Sequence, residues 1–282
     1  MKKFGIIGPG AVGTSIAYAL QTSNLDVTLF GRENDTIDFH EFNQTNVTTM
    51  KVHRLKSSSN KVDFLFISVK TTQLDAILPY INNVIHDDTV IILTQNGYGQ
   101  IDKIQHPLTY QAVVYISGQK DNHTVTHFRD WTLKLPINEH TRLLQDATKN
   151  SMINVECIED YDKQVWYKLI VNLGINTITA ITQKPAVVLQ SEGISELCYN
   201  LLAEGKMVAL AEGIQFEDNL EESIMQIYKG YPDEMGTSMY YDTMNHRPLE
   251  LEYIQGYIYQ ISKKHHLNTP LLDSTYTILN TY

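Results

Sequence analysis

The segment FGIIGPGAVG, residues Phe4–Gly13, joins a short apolar run to three glycines in G-x-G-x-x-G spacing. The run before the glycines has the pattern of a buried β-strand, and Thr14–Gln21 after them has helical periodicity. In that context Gly8 permits a tight turn, Gly10 lets backbone approach a pyrophosphate, and Gly13 lets helix and strand pack closely. The alternative is an ordinary glycine-rich turn. We predict a dinucleotide site at a helix N-terminus, formed by Gly8, Pro9, Gly10, Ala11, Val12 and Gly13.

The first half of the chain alternates β-rich segments with helical ones. Strands that are apolar on both faces suit a parallel sheet covered by helices on two sides. Between Gln111 and Leu135 the pattern is strand-like without helices, which indicates antiparallel strands added at one edge. The sheet is therefore predicted to be mixed but mainly parallel. The predicted elements are strands at Phe4–Ile7, Val27–Phe30, Phe64–Val69 and Val90–Leu93, and helices at Thr14–Gln21 and Leu74–Ile81.

From about Asp162 onward the β pattern ends and long segments of helical period follow. The predicted fold class is α/β, with a Rossmann-type N-terminal domain of mixed, mainly parallel sheet and an all-helical C-terminal domain. We assign residues 1–162 to the first domain and residues 163–282 to the second. The predicted helices of the second domain are Gln164–Thr182, Ile194–Glu212, Leu220–Tyr228, Pro248–Lys264 and Pro270–Leu279.

The composition excludes several classes of protein. A formal net charge of −10 over 282 residues argues against a general field that attracts nucleic acid or anionic lipid. No apolar run is long enough to span a bilayer, and Gly8-Pro9-Gly10 would break the helix of a secretion signal. Cys157 and Cys198 lie far apart without disulfide, redox or metal spacing, and the histidines lack metal-ligand spacing. We expect a cytoplasmic protein without nucleic-acid partner, membrane partner or metal.

The residues just beyond the second predicted strand indicate which dinucleotide binds. An NAD enzyme usually has Asp or Glu about twenty residues beyond the glycine loop, to bind the ribose hydroxyls. Arg32 stands there instead, and its guanidinium suits the 2′-phosphate of NADPH. We therefore predict NADPH/NADP as the cofactor. The alternative is that Arg32 is a solvated loop residue and Glu33 takes the acidic role.

Two later junctions, Ser68–Gln73 and Thr94–Gly97, lie at the carboxyl ends of the third and fourth predicted strands. Ligands of open α/β sheets bind outside the carboxyl ends of the strands, so these residues are candidates for cofactor contact. By themselves, Lys70 could be a solvated surface lysine and Asn96-Gly97 could be a simple turn.

The run Trp166–Ile181 has helical period and is apolar around almost its whole circumference. Lys168, Asn172 and Asn176 interrupt it at intervals of four, so they form one stripe along the helix. Unpaired polar groups in a dry core cost several kcal/mol, on the order of 2–7. We therefore expect the stripe to face a wet cleft between the two domains, where the active site would lie. The alternative is a lysine that extends to solvent while the asparagines bond nearby backbone.

Several motifs occur together along nearly the whole chain. They are Gly8–Gly13, Val69-Lys70-Thr71 with Gln73, Gln95-Asn96-Gly97, Val165–Leu169 with Asn172 and Asn176, and Gly236–Met239 with Glu250. Together they resemble the 2-dehydropantoate 2-reductase family, also called ketopantoate reductase. The lysine-helix block and the later serine and glutamate are much more specific than the glycine loop.

The resemblance implies an oxidoreductase that uses NADPH to reduce 2-dehydropantoate to (R)-pantoate, on the route to pantothenate and coenzyme A. Lys168 matches the family's general acid, and a nearby ammonium both stabilises the charge that develops on a ketone oxygen and delivers the proton. Glu250 matches the glutamate that binds the substrate hydroxyl and supports catalysis. The other matching positions are Asn172, Asn176, Ser238 and Asn96 toward the substrate, and Lys70, Gln73 and Asn96 around the cofactor. Gly31 before Arg32 is a departure, since bulkier residues are also found there.

Two further functions are compatible with these residues. The same ammonium and amides could serve another 2-oxo acid or an imine, with fold and cofactor unchanged. A protein that senses NADPH without turnover is the alternative outside enzymes, although the presence of Lys168, Ser238 and Glu250 argues against it. The tyrosine-rich stretches MYYD and YIQGYIYQ fit a cleft, an oligomer interface or aromatic core. A homodimer is therefore one possible assembly.

Overall fold

The structure, a computed structural model, describes residues 2–282. The packing of the chain divides it into two compact units. The first unit contains the described residues up to Asn96 together with Gln100–Tyr161, and the second contains Gly97–Gly99 together with Asp162–Tyr282. The tripeptide Gly97–Gly99 therefore packs with a later part of the chain and not with its own neighbours in sequence.

The first unit is built on one mixed sheet. Its strands are β1 (Lys3–Ile7), β2 (Asp26–Gly31), β3 (Asp35–Glu41), β4 (Thr48–Arg54), β5 (Phe64–Ile67), β6 (Val90–Leu93), β7 (Thr109–Gln111), β8 (Val113–Asp121), β9 (Thr124–Pro136) and β10 (Asn154–Ile158). Their order is β10-β9-β3-β4-β2-β1-β5-β6-β7, and β8 pairs with β9. The β3–β4 and β8–β9 pairs are antiparallel and the other pairs are parallel. The predicted fold class is confirmed.

Helices cover both faces of the sheet. Along β1, Phe4 and Ile6 join one apolar cluster and Ile7 joins another, because successive side chains of a strand point to opposite faces. The first cluster includes residues of α1 (Ala11–Gln21), and the second includes residues of α2 (Leu74–Ile81). This burial on both sides explains why the central strands are continuous apolar runs.

Several elements of the first unit were not predicted from the sequence. In β3 only Ile37 and Phe39 are buried hydrophobic residues, and β4 likewise buries only alternate side chains, so the apolar signal of each strand is weak. The helix α3 (Glu139–Thr148) is mostly polar and begins at a capping box, in which the Asn138 side chain accepts from the backbone N–H of Thr141. The edge strand β10 was also missed.

The second unit is helical, and none of its described residues lies in a strand. Its helices are α4 (Tyr161–Thr182), α5 (Glu192–Ala211), α6 (Leu220–Lys229), α7 (Ser238–Met244), α8 (Gln255–Lys264) and α9 (Pro270–Leu279). Short 3₁₀ turns occur at Ala186–Gln190 and Leu251–Tyr253. Across residues 2–282, no helix combines the length and the apolar character that crossing a membrane requires.

One predicted helix of this unit is wrong. The segment Pro248–Lys264 is not continuous: it forms the 3₁₀ turn Leu251–Tyr253, breaks at Ile254 and resumes as α8. The carbonyl oxygen of Tyr253 accepts a hydrogen bond from the backbone N–H of Tyr98 at 2.7 Å, so a tertiary partner replaces the one that a continuous helix would supply. Glu250 consequently lies just before a single 3₁₀ turn, whereas the prediction placed it in the first turn of the long helix.

Candidate functional site

The glycine loop of the first unit is shaped by its glycines. Gly8 has a φ of +110°, in the left-handed region, and a Cβ atom there would lie 2.6 Å from the Val69 backbone nitrogen. A Cβ atom on Gly13 would overlap the Gly8 carbonyl oxygen and approach the Ser68 side chain. These two positions let the loop, α1 and the residues after β5 pack closely.

Gly10 differs from its neighbours because a Cβ atom built on it meets nothing within 4 Å. It is the N-cap of α1, and the first turn of that helix contains no acidic residue. Orphan N–H groups and the helix dipole at such an end favour an anion. Open space in front of an uncapped helix start therefore fits the pyrophosphate of a dinucleotide.

The end of β2 lies beside this loop. A Cβ atom on Gly31 would be 3.4 Å from the ring of Pro9, so the glycine loop and the residue before Arg32 are neighbours. Arg32 is exposed. The carboxylate of Glu33 lies 3.3 Å from Nε of Arg54, which closes β4. Glu33 thus forms an ion pair with Arg54. The alternative prediction from the sequence was that Glu33 binds the ribose hydroxyls of the cofactor.

The remaining cofactor candidates occupy the carboxyl ends of β5 and β6. Lys70 precedes the 3₁₀ turn Thr71–Gln73, and Gln73 donates its backbone N–H to the Lys70 carbonyl at 2.8 Å. Asn96 follows β6, and its carbonyl accepts from the Gln100 side chain at 2.9 Å. Because β5 and β6 are parallel neighbours, the two ends lie at the same edge of the sheet.

In the second unit the polar stripe lies on α4, as its period predicted. Lys168 is half-buried, and Asn172 and Asn176 are 9% and 6% exposed. Thr177 and Thr179, on the same turns of the helix as Asn176, are 0% exposed. Solvent therefore reaches the stripe at its lysine end, whereas the two asparagines are buried to about the same extent as the apolar residue Val171, which is 8% exposed. By helix geometry the stripe extends about 12 Å.

Two buried polar contacts fix other elements against α4. Oγ1 of Thr179 lies 2.9 Å from Oγ1 of Thr237, the N-cap of α7, so exposed Ser238 at the start of α7 is held near the turn that contains Asn176. The Gln255 amide donates to Oγ1 of Thr177 at 3.0 Å, which fixes the start of α8. Sequence reasoning missed these positioning residues, although hydroxyls within an apolar helix were a signal.

The rings of Trp166 and Tyr257 also lie 6.0 Å apart, so the first turn of α8 contacts α4 near Lys168. Half-buried Glu250 lies five residues before α8. The structure thus brings Asn176 and Ser238 to adjoining elements. Among residues 2–282, no group of three or more His, Cys, Asp or Glu side chains is arranged to hold a metal ion. Cys157 and Cys198 are both free thiols.

Comparison with protein families matches nearly the whole chain. Residues 4–139 match the family model described as ketopantoate reductase PanE/ApbA, and residues 160–282 match the one described as ketopantoate reductase PanE/ApbA C terminal. Among curated relatives, a 2-dehydropantoate 2-reductase of Mycobacterium tuberculosis is 26% identical over 95% of this chain and 93% of its own length.

Solved structures share the fold. A dimeric ketopantoate reductase from Staphylococcus aureus is 46% identical, covers 99% of this chain and 98% of its own, and superposes with a TM-score of 0.97. A D-mandelate dehydrogenase solved with NADH and anilino(oxo)acetate superposes with a TM-score of 0.87 at 21% identity, over 99% of this chain and 97% of its own. The second likeness is one of fold alone.

Proposed function

The chain belongs to the ketopantoate reductase family, and on that premise we propose that it reduces 2-dehydropantoate to (R)-pantoate with NADPH. It would serve the route to pantothenate and coenzyme A. The observation that carries the proposal is the stripe of Lys168, Asn172 and Asn176, in which a half-buried ammonium and two buried amides interrupt an apolar helix. A few polar groups on an apolar wall are what orients a small polar ligand.

The first unit supplies the groups that would hold NADPH. The loop Gly8–Gly13 would receive the pyrophosphate at the start of α1, and Arg32 would bind the 2′-phosphate of the adenosine ribose. Arg32 supports NADPH over NADH, since it stands where an acidic residue would serve the ribose hydroxyls. Glu33, the next residue, forms an exposed ion pair with Arg54. The residues proposed to contact the rest of the cofactor are Lys70, Gln73 and Asn96.

The second unit supplies the groups proposed for the chemistry. When bound, NADPH provides a hydride for the carbonyl carbon of the substrate. Lys168 stabilises the negative charge on the carbonyl oxygen and donates the proton that completes the hydroxyl. Asn172, Asn176 and Ser238 face the hydroxyl and carboxylate groups of the substrate, and Glu250 binds the substrate hydroxyl and supports catalysis.

The test follows the absorbance of NADPH with and without 2-dehydropantoate. We expect substrate-dependent oxidation of NADPH, and we expect Lys168→Met to lower turnover by about 10²–10⁴-fold, the range for general acid catalysis. The affinity for NADPH should stay within about twofold, because Lys168 belongs to the second unit and the proposed cofactor groups to the first. Lys163→Met, on the same helix, is the matched control and should keep nearly full turnover.

A panel of simpler 2-keto acids and an imine separates the related possibilities. If one of these compounds is turned over faster than 2-dehydropantoate, that compound is the substrate, and the proposed reductase chemistry is unchanged. Stoichiometric binding of NADPH without oxidation by any ketone would instead indicate a sensor. Unchanged turnover in Lys168→Met would remove that lysine from the chemistry.

The proposed assembly is a homodimer, as described for the S. aureus relative. Light scattering should then report twice the 32.2 kDa mass of the chain. The proposed location is the cytoplasm, with which two free thiols agree.

A further inference from the structure

A cation from a distant part of the sequence lies on the glycine loop. Nζ of Lys120 donates a hydrogen bond to the carbonyl oxygen of Pro9 at 2.8 Å, across 111 positions of sequence. Lys120 stands near the end of β8, and the same strand passes the start of α1, where a Cβ atom on Gly118 would lie 3.6 Å from Cβ of Ala11. The β8–β9 hairpin therefore brings a lysine to the proposed nucleotide site.

The loop residue that the Lys120 ammonium contacts also lies close to the end of β2. That residue, Pro9, lies beside Gly31, the residue before Arg32. Asp35, three residues beyond Arg32, acts electrostatically on Lys120 and pairs with His123 on the same hairpin at 3.4 Å. Lys120 thus stands by the glycine loop and by the segment that carries Arg32.

The local electrostatics favour an additional anion. Lys120 is exposed as a residue, yet desolvation of its ammonium lowers the pKa while Asp35 opposes that shift. An ammonium carries three donors, and Pro9 takes one. A neutral carbonyl partner leaves the positive charge without compensation on that side, whereas a phosphate would compensate it.

We propose that Lys120 and Arg32 together bind the 2′-phosphate of the adenosine ribose, which makes Lys120 a specificity-determining residue for NADPH over NADH. The inference rests on the proposed function, because it deepens the assignment of the cofactor. The residues fit such a role, because Lys120 bonds the Pro9 carbonyl and Arg32 follows Gly31, which lies beside the Pro9 ring. The carboxylates of Glu33 and Asp35 have other partners, Arg54 and the imidazole of His123. The competing role for Lys120 is a tether that only holds the hairpin on the loop.

Binding of two fragments separates these roles without any turnover. Adenosine 2′,5′-bisphosphate and adenosine 5′-monophosphate differ only by the 2′-phosphate, and calorimetry measures the affinity of the full chain for each. For Lys120→Met we expect the bisphosphate to bind about tenfold more weakly, the effect of one exposed charge-assisted hydrogen bond, and the monophosphate to change less than about twofold. Lys120→Arg should retain most of the discrimination.

Two controls accompany these variants. Lys149→Met removes an exposed lysine from the same unit and should leave both affinities unchanged, which accounts for the change in net charge. Arg32→Ala should weaken the bisphosphate selectively, and combined with Lys120→Met it should bring the two fragments to nearly equal affinity. Thermal unfolding of each variant shows whether the fold is retained.

The outcomes distinguish this inference from the function on which it rests. If the unaltered chain discriminates between the fragments and Lys120→Met discriminates equally well, the role of Lys120 is refuted and the NADPH proposal stands. If Lys120→Met binds both fragments more weakly by the same factor, Lys120 is only a tether, and its role in specificity is likewise refuted. If the unaltered chain does not prefer the bisphosphate, the NADPH assignment fails together with the role of Lys120.

Discussion

His127 on β9 is the clearest case of a single residue whose charge state depends on the fold. Its side chain is 2% exposed, its Nδ1 lies 3.3 Å from Oγ of Ser15, and its ring stacks on Trp131 at 3.7 Å between centroids. Desolvation lowers the pKa of His127 from 6.5 to about 4, against the opposing charge of Asp130. The imidazole is therefore neutral in the folded protein at neutral and mildly acidic pH.

This pKa predicts acid sensitivity. Between about pH 6.5 and 4 the unfolded chain binds a proton at His127 that the folded chain does not, so stability falls as the pH falls through that window. Between about pH 7.5 and 5 the unaltered protein should lose about 2 kcal/mol more unfolding free energy than His127→Gln. Urea unfolding at the two pH values measures the difference. Carboxylates such as Asp63 titrate in both proteins and cancel, so equal losses would contradict the prediction.

At the scale of elements, α1 depends on glycines for two separate reasons. Gly13 gives α1 its close packing, whereas Gly10 leaves space before the first turn. Gly13→Ala should lower the unfolding free energy by about 1–3 kcal/mol, the cost of overpacking a tight contact. Gly10→Ala should leave stability nearly unchanged, because its φ of −93° suits any residue, yet weaken NADPH binding at least about tenfold by filling the phosphate space. Denaturation and calorimetry on both variants measure the two effects.

The two variants serve as controls for each other. Loss of NADPH affinity in a well-folded Gly10→Ala protein separates binding from stability. Unweakened NADPH binding in that protein would place the pyrophosphate elsewhere. An unchanged unfolding free energy in Gly13→Ala would mean that α1 can shift away from the loop.

The sequence predicted the elements whose apolar runs are continuous. Helix α2 and strand β6 have the predicted bounds, because both lie against the two-sided core of the first unit. Strands β3 and β4 were not predicted, because each buries only two hydrophobic side chains among polar ones. The break at Ile254 was not predicted, because it depends on the tertiary hydrogen bond from the backbone N–H of Tyr98 to the Tyr253 carbonyl. Hydrophobic periodicity indicates which residues of one segment are buried, but it does not identify a hydrogen-bond partner in a distant segment.

The same limit applies to the candidate site. The stripe on α4 was readable because Lys168, Asn172 and Asn176 share one helix. The contacts of Thr179 with Thr237 and of Lys120 with Pro9 join separate segments, and only the fold brings them together. Positions that belong to one continuous motif were therefore predictable, and positioning residues were not.

On the scale of the whole molecule, Gly97–Gly99 is an unusual piece of the chain. Asn96 before it and Gln100 after it belong to the first unit, whereas the tripeptide packs in the second. Gly97 has a φ of +86°, and a Cβ atom there would overlap the Tyr253 carbonyl oxygen. The ring of Tyr98 meets that of Tyr257 edge-on at 5.4 Å.

Gly97→Ala should therefore destabilise the second unit. Gly213 in the same unit also has a positive φ, +84°, but has nothing within 4 Å of an added Cβ, so Gly213→Ala reports the backbone strain alone. We expect Gly97→Ala to cost at least about 2 kcal/mol more than Gly213→Ala, by steric overlap with Tyr253. Denaturation followed by the fluorescence of Trp166, the tryptophan of the second unit, measures both. Equal losses of unfolding free energy in the two variants would show that the turn at Tyr253 can shift to accommodate the added methyl group.

The placement of Gly97–Gly99 also constrains how such a protein can be inherited or recombined. A gene fragment that starts at residue 162 would encode a helical half without three residues of its own packing. An exchange of C-terminal halves between relatives would seat a foreign tripeptide on the Tyr253 turn. A natural or engineered chimera should thus retain function only when Gly97–Gly99 and the C-terminal half come from the same parent.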